Sequence, residues 1–214
     1  MRVIAVIGCV VACTSPAPQN VTITTPSSSA VAASVAPPVH TTVPADVQTA
    51  YFPPGTFPAS TEKLVTDWYG KHLGAMHEPS LWAAAVRGET VWRFLYLRTW
   101  GKPIAVRVTS DGHLFATRLG GQGGYEPGTI ETHRERTLGK SDVARIETAL
   151  AAASFDTTPT EGELGHDGAQ WVIERAKAGQ YRLVERWSPD DTGKHPAFLA
   201  ACNVFIDLAG RDLL

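Results

Sequence analysis

Cysteine, charge and early aromatics are all scarce in this chain, and each shortage excludes something. Only three cysteines occur among 214 residues, at positions 9, 13 and 202. That leaves no disulfide framework and no Cys-rich metal motif to specify a fold. No aromatic residue precedes Tyr51, and between Thr14 and Ala50 the only charged residue is Asp46. A stretch of Ser, Thr, Pro, Ala and Val of that kind cannot bury enough surface to offset its ordering entropy. No apolar run reaches the roughly 20 residues that a membrane-spanning helix needs. A formal net charge of −2 carries no basic excess, which excludes a nucleic-acid surface. There is no Gly-x-Ser-x-Gly elbow, and no Lys-Ser or Lys-Thr after a glycine-rich run, so the common nucleophile and phosphate-loop signatures are missing.

What is present begins at the N-terminus. Arg2 precedes an apolar segment from Val3 to Ala12, which Val10-Val11-Ala12-Cys13 closes. This pattern resembles a bacterial lipobox. The resemblance implies a signal peptide over residues 1–12 and diacylation of Cys13 as the first mature residue. Val6-Ile7-Gly8-Cys9 also fits, but it leaves an apolar core of only Val3 to Gly8, so Cys13 is the expected site. Residues 13–50 are then a disordered, proline-punctuated tether, and residues 51–214 form one globular domain. Processing at Cys13 would leave Cys202 alone, with no intramolecular disulfide. Thr14 rather than an aspartate after the cysteine implies sorting to the outer membrane, facing the periplasm, with the membrane itself as first partner.

Within 51–214 the spacing predicts a helix from a Ser60 cap through Leu64, Val65, Trp68, Tyr69 and Leu73, ending at Gly74. Leu81 to Val86 and Thr90 to Trp100 are expected as strands. Asp111-Gly112 predicts a two-residue hairpin loop pairing Val108 with Phe115, which puts Arg107 and Arg118 on one polar face. Ser141 is expected to cap a helix through Val143, Ile146 and Leu150. Lys177-Ala178-Gly179 is expected as a three-residue loop setting Glu174 opposite Arg182, because the two-residue alternative buries Arg182 and Arg186 beside Trp171. Pro196 starts a last helix that Gly210 stops, with Cys202 on its apolar stripe. The sum is an α+β fold: a single two-layer domain, an antiparallel β-sheet of hairpins with helices packed on one face.

Met76-His77-Glu78-Pro79-Ser80-Leu81-Trp82, the run Gly120-Gly121-Gln122-Gly123-Gly124-Tyr125-Glu126-Pro127-Gly128, and Asp167-Gly168-Ala169-Gln170-Trp171 through Arg186-Trp187-Ser188-Pro189 together resemble uncharacterised exported proteins and lipoproteins of Gram-negative bacteria. That resemblance covers most of the folded domain. It implies one domain and no particular activity.

Candidate chemistry is thin. The glycine run suggests an anion-binding nest, or a wide loop needing positive φ. Arg93, Arg98, Arg107, Arg118, Arg134, Arg136, Arg182 and Arg186 recur on strands and suggest an anion-binding sheet face or, with Glu131, Glu135, Glu174 and Glu185 available to pair with them, a solvated, charge-laced face, the reading favoured. Arg107, Arg118, Gly121, Gly123 and Tyr125 are the expected ligand site, for an envelope protein or an anionic small molecule. His72, His77 and Glu78 lack metal-ligand spacing, so neither a metal nor a cofactor is expected. The expected role is a membrane-tethered binding or interaction module. The alternative is an envelope hydrolase using His166 and Asp167.

Overall fold

Two strands are buried on both faces, and that decides the layering. β1 (Val91–Arg98) and β5 (Ala169–Lys177) bury side chains at nearly every position, as strands covered on both sides must. They occupy the centre of a six-stranded antiparallel sheet, ordered β4-β3-β2-β1-β5-β6. The others are β2 (Ile104–Thr109), β3 (His113–Leu119), β4 (Ile130–Thr137) and β6 (Gln180–Trp187). The structure, a computed structural model, describes residues 43–160, 162, 164–190 and 192–214. The signal peptide, Cys13 and most of the expected tether lie outside the described residues.

The α+β class and the antiparallel sheet of hairpins are as expected. The helical cover, expected on one face, is found on both. Alternate residues separate the faces: Phe94, Val106, Leu114 and Ile173 meet Ile146 and Leu150 of α4 (Lys140–Ala152) and Phe198, Cys202 and Phe205 of α5 (Pro196–Ala209). Leu95, Leu97, Ala105 and Val172 turn the other way. They meet Val65, Tyr69 and Leu73 of α2 (Glu62–Ala75), together with Phe52 and Phe57.

Leu81–Val86 is a short helix, α3, where a strand was expected. Ser80 explains it: its hydroxyl accepts from the Ala83 amide at 3.1 Å, and the alanines that follow favour a helix. A further helix, α1 (Ala45–Thr49), falls inside the expected tether, with Val43 and Val47 buried against Ala83. The fold therefore begins at least eight residues earlier than composition suggested. Capping also differs elsewhere. Neither Ser60 nor Ser141 caps; Thr61 and Gly139 hold those positions without a side-chain bond. Gly74 lies within α2, and His77 (φ 58°) makes the left-handed exit. There the Glu78 amide donates to Leu73 O and the His77 amide to Gly74 O, both at 3.0 Å, a Schellman closure.

Both hairpin loops are the reverse of expectation. Only Gly112 of Asp111-Gly112 has positive φ, so Ser110-Asp111-Gly112 is a three-residue loop, because a type I′ turn needs both central residues left-handed. Arg107 consequently pairs with Phe115 and Ile104 with Arg118, which sends Arg107 and Arg118 to opposite faces. The other loop has two residues, Ala178 (φ 50°) and Gly179 (φ 78°). Trp171 therefore stands opposite Arg186 and Arg175 opposite Arg182. The expected Glu174–Arg182 pair does not form. Arg182 is half-buried and Arg186 buried, and carbonyls receive both: Arg182 Nε donates to Phe155 O at 2.6 Å, and Arg186 Nη1 to Pro159 O at 3.1 Å.

On the α2 face the sheet carries a buried ion cluster. Arg93 Nε and Nη2 donate to the two Glu174 oxygens, each at 2.8 Å. Arg93 Nη1 donates to Pro79 O at 2.8 Å and reaches Glu78 at 3.4 Å. Arg107 Nε meets the same Glu78 oxygen at 3.0 Å, and Tyr181 donates to Glu174 at 2.9 Å. Burial pushes the Glu174 carboxyl up, and Arg93 opposes that shift.

Candidate functional site

The strand arginines do not share a face. Arg93 and Arg107 join the ion cluster, whereas the others mostly serve helix ends on the opposite side. Arg136 Nη1 donates to Leu208 O of α5 at 3.0 Å, and Arg118 Nη1 to Leu213 O at 3.0 Å. Cations are favoured at those carbonyl-rich helix ends. Arg134 pairs with Asp212 at 2.6 Å. Of the five expected ligand residues, then, Arg107 and Arg118 are separated by the sheet, and each already has partners. Arg107 also lies over the Phe115 ring, 4.0 Å from its centroid.

The glycine run is neither an anion nest nor a loop of positive φ. Gly120, Gly121, Gly123 and Gly124 all lack left-handed φ; Gly128 alone in this loop has it, at 70°. Every amide of the run is spent on a carbonyl. Gly120, Gly121 and Gln122 donate to Thr129, Pro127 and Glu126 at 2.9, 3.0 and 2.9 Å, and Gly123 and Gly124 donate to Gly101 and Thr99 at 2.9 and 3.3 Å. Glycine is required by close approach. A Cβ on Gly123 would stand 2.6 Å from Arg98 O and 2.7 Å from Arg98 N, and one on Gly121 would strike the Glu126 carbonyl. Gly123→Ala is therefore expected to lower stability by about 1–3 kcal/mol, the usual cost of overpacking. Urea melts of the two proteins check it.

Where this loop meets α2, a groove of about 450 Å³ opens. Asp67, Trp68 and Lys71 of α2 form one wall; Thr99, Gly124 and Tyr125 form another; Gly165, His166 and Trp187 close the third. Trp68 Nε1 donates to Gly123 O at 2.6 Å, tying helix to loop. Gly165 lies so close to the Trp187 ring that no side chain fits between them. Six large apolar side chains are exposed among the described residues, and four gather at this groove: Leu64 (61 %), Trp100 (65 %), Tyr125 (47 %) and Leu164 (37 %). Trp100 joins the group by leaning on Tyr125, ring centroids 5.1 Å apart. Of the expected ligand residues, Tyr125 lines this groove and Gly123 backs it; Gly121 does not line it. Sequence reasoning missed Leu64, Trp68, Trp100, Leu164 and Trp187, which four separate segments contribute.

His72 sits behind the groove, fully buried, with Nδ1 2.9 Å from Trp68 O and Nε2 3.4 Å from Gln122 O. Burial lowers its pKa, against the raising effect of those carbonyls. The charged form is thus disfavoured in the folded state, so the unfolded chain takes up the proton first as pH falls. Stability is expected to decline as pH drops through about 6.5, the ordinary histidine value. The difference in melting temperature between wild type and His72→Gln, followed from pH 8 to pH 5, isolates this contribution. A difference that does not change with pH would refute it.

His166 lines the groove, but Asp167 is turned to Trp100, whose indole Nε1 donates to Oδ1 at 3.0 Å. The nearby Thr99 hydroxyl donates to the His166 carbonyl at 3.2 Å and does not address its ring. Glu78 belongs to the arginine cluster and His72 to the carbonyls, so His72, His77 and Glu78 do not converge. No group of three His, Cys, Asp or Glu among the described residues could hold a metal ion. Cys202 is free and fully buried, and burial pushes its thiol far up, as expected of an inert core cysteine. No described helix is long and apolar enough to cross a membrane. Comparison with known proteins finds no family model that matches this chain and no curated protein with significant sequence similarity to it.

Proposed function

We propose that this chain is a membrane-tethered lipoprotein of the bacterial envelope whose folded domain is a non-enzymatic binding module, and that the groove between α2 and the glycine loop takes its ligand. One observation carries the reading: apolar side chains that elsewhere fill the core come to the surface together, on the rim of a concave site with backbone-locked walls. Exposed apolar clusters of that kind mark binding surfaces. The pairing of Asp167 with an indole, rather than with His166, favours binding over hydrolysis. The lipobox-like residues ending at Cys13 support a lipid anchor in the outer membrane, facing the periplasm.

Two measurements test this. Hydrogen exchange of the full chain, with and without solubilised envelope extract, should show added protection at residues 64–71, 99–101, 122–126 and 164–168 and none along β4. Protection confined to other surfaces would refute the groove. For the anchor, globomycin should leave an unprocessed precursor, and a Cys13→Ser protein that matures normally would refute lipidation.

A further inference from the structure

We infer that the groove is a saccharide subsite, with Trp100 and Tyr125 as a stacking platform for a neutral sugar ring. The inference rests on the groove being a binding site and goes on to name the chemical class of its ligand. Trp100 is 65 % exposed yet held on several sides. Its indole N–H is fixed by Asp167 at 3.0 Å, and its ring leans on Tyr125 at 39°. Its backbone neighbours are bound as well: Thr99 N donates to Gly168 O at 2.9 Å, and Gly101 O accepts from Gly123 N at 2.9 Å. A large aromatic fixed in this way presents its face to solvent with its rotamer entropy already spent, which favours a ligand that covers the face. With centroids 5.1 Å apart at 39° the two rings brace each other, and the exposed Trp100 ring offers a flat surface that suits the C–H face of a pyranose.

Charge decides against an ionic ligand. Lys71 pairs with Glu126 at 3.3 Å and Lys63 with Asp67 at 2.6 Å, while Asp167 serves Trp100. Among the described groove-lining residues the one Lys or Arg is Lys71, already paired, beside the Asp67 carboxylate and the His166 imidazole, a lining better suited to hydroxyl groups than to a phosphate or carboxylate. An extended proline-rich peptide is disfavoured on separate grounds. Of the indole N–H groups that would donate to its carbonyls, those of Trp68 and Trp100 are consumed by Gly123 O and Asp167, which leaves that of Trp187 alone among the described groove residues.

The test is titration of the purified full chain with an N-acetylglucosamine tetramer, read by tryptophan fluorescence and by amide chemical shifts. Saturable binding with a dissociation constant on the order of 1 mM is expected. Shifts should concentrate at residues 64–71, 99–101 and 122–126. Trp100→Ala should weaken binding roughly tenfold without changing the melting temperature, and Trp100→Phe should restore part of the loss. Wild-type binding that survives Trp100→Ala unchanged overturns the inference. So does the absence of saturation with this tetramer and with maltotetraose. If envelope extract still protects the groove while neither sugar binds, the saccharide assignment fails and the groove reading stands. Saturable binding of a proline-rich peptide in place of sugar likewise overturns the saccharide alone.

Discussion

Arg93→Ala should cost about 3–5 kcal/mol of folding stability, the penalty for leaving buried charge without its partner. The side chain is fully buried and supplies both bonds to Glu174 as well as contacts to Glu78 and Pro79. Without it, Glu174 keeps only Tyr181, and Glu78 keeps only Arg107. The penalty has a pH signature. Burial already raises the Glu174 carboxyl and Arg93 holds it down, so loss of Arg93 raises it further. A carboxyl raised in the folded state regains stability as pH falls through its folded value toward its unfolded one. Urea denaturation at pH 8 and pH 5 should therefore show a smaller deficit at pH 5. Replacing Arg93 and Glu174 together by methionine should be far milder than Arg93→Ala. An Arg93→Ala deficit below about 1 kcal/mol at pH 8 would mean that water reaches the cluster.

The second large effect is at Tyr69. Its ring is fully buried among Phe52, Phe57 and Trp68, and its hydroxyl donates to Glu185. Tyr69→Ala should lose about 3–5 kcal/mol, as truncations of buried aromatics do. Tyr69→Phe keeps the packing and removes only the donor, for a loss of about 1–3 kcal/mol. Burial pushes the Glu185 carboxyl up, while Tyr69 and Gln170 hold it down, so Tyr69→Phe should also recover stability as pH falls. Equal losses in the two variants would show that the hydroxyl, and not the ring, holds α2 to the sheet. Thermal melts of the two proteins at pH 5 and pH 8 measure all of this.

The fold class was legible in the sequence because alternation and helical spacing are local. Pro196 and Gly210 bound the last helix as their chemistry requires, and Cys202 lies on the buried stripe they enclose. The two hairpin registers were not legible, for opposite reasons. Asp111-Gly112 has the composition of a tight turn but keeps Asp111 out of the left-handed region. The Ala178-Gly179 loop was set aside because it buries two arginines, and the carbonyls that accept them come from residues 155–159, distant in sequence. Two-sided cover was partly visible in the four consecutive apolar residues Phe94 to Leu97 of β1. The groove was not legible. Nothing local separates the exposed Trp100 from Trp92, which is buried with its indole on Glu147 at 3.1 Å. The glycine run was conspicuous, but sequence could not distinguish a need for left-handed backbone from a need for closeness.

The packing of Val43 and Val47 against α3 has an orientational consequence. The described chain enters the fold there, beside the end of β1 at Val91, which packs with Leu81 and Ala84 of α3. The groove lies past the other end of that strand, at Thr99. An eight-residue strand separates the two by about 26 Å at 3.3 Å per residue. A force applied to the described chain at Val43 would therefore load the end of β1 away from the exposed aromatic pair.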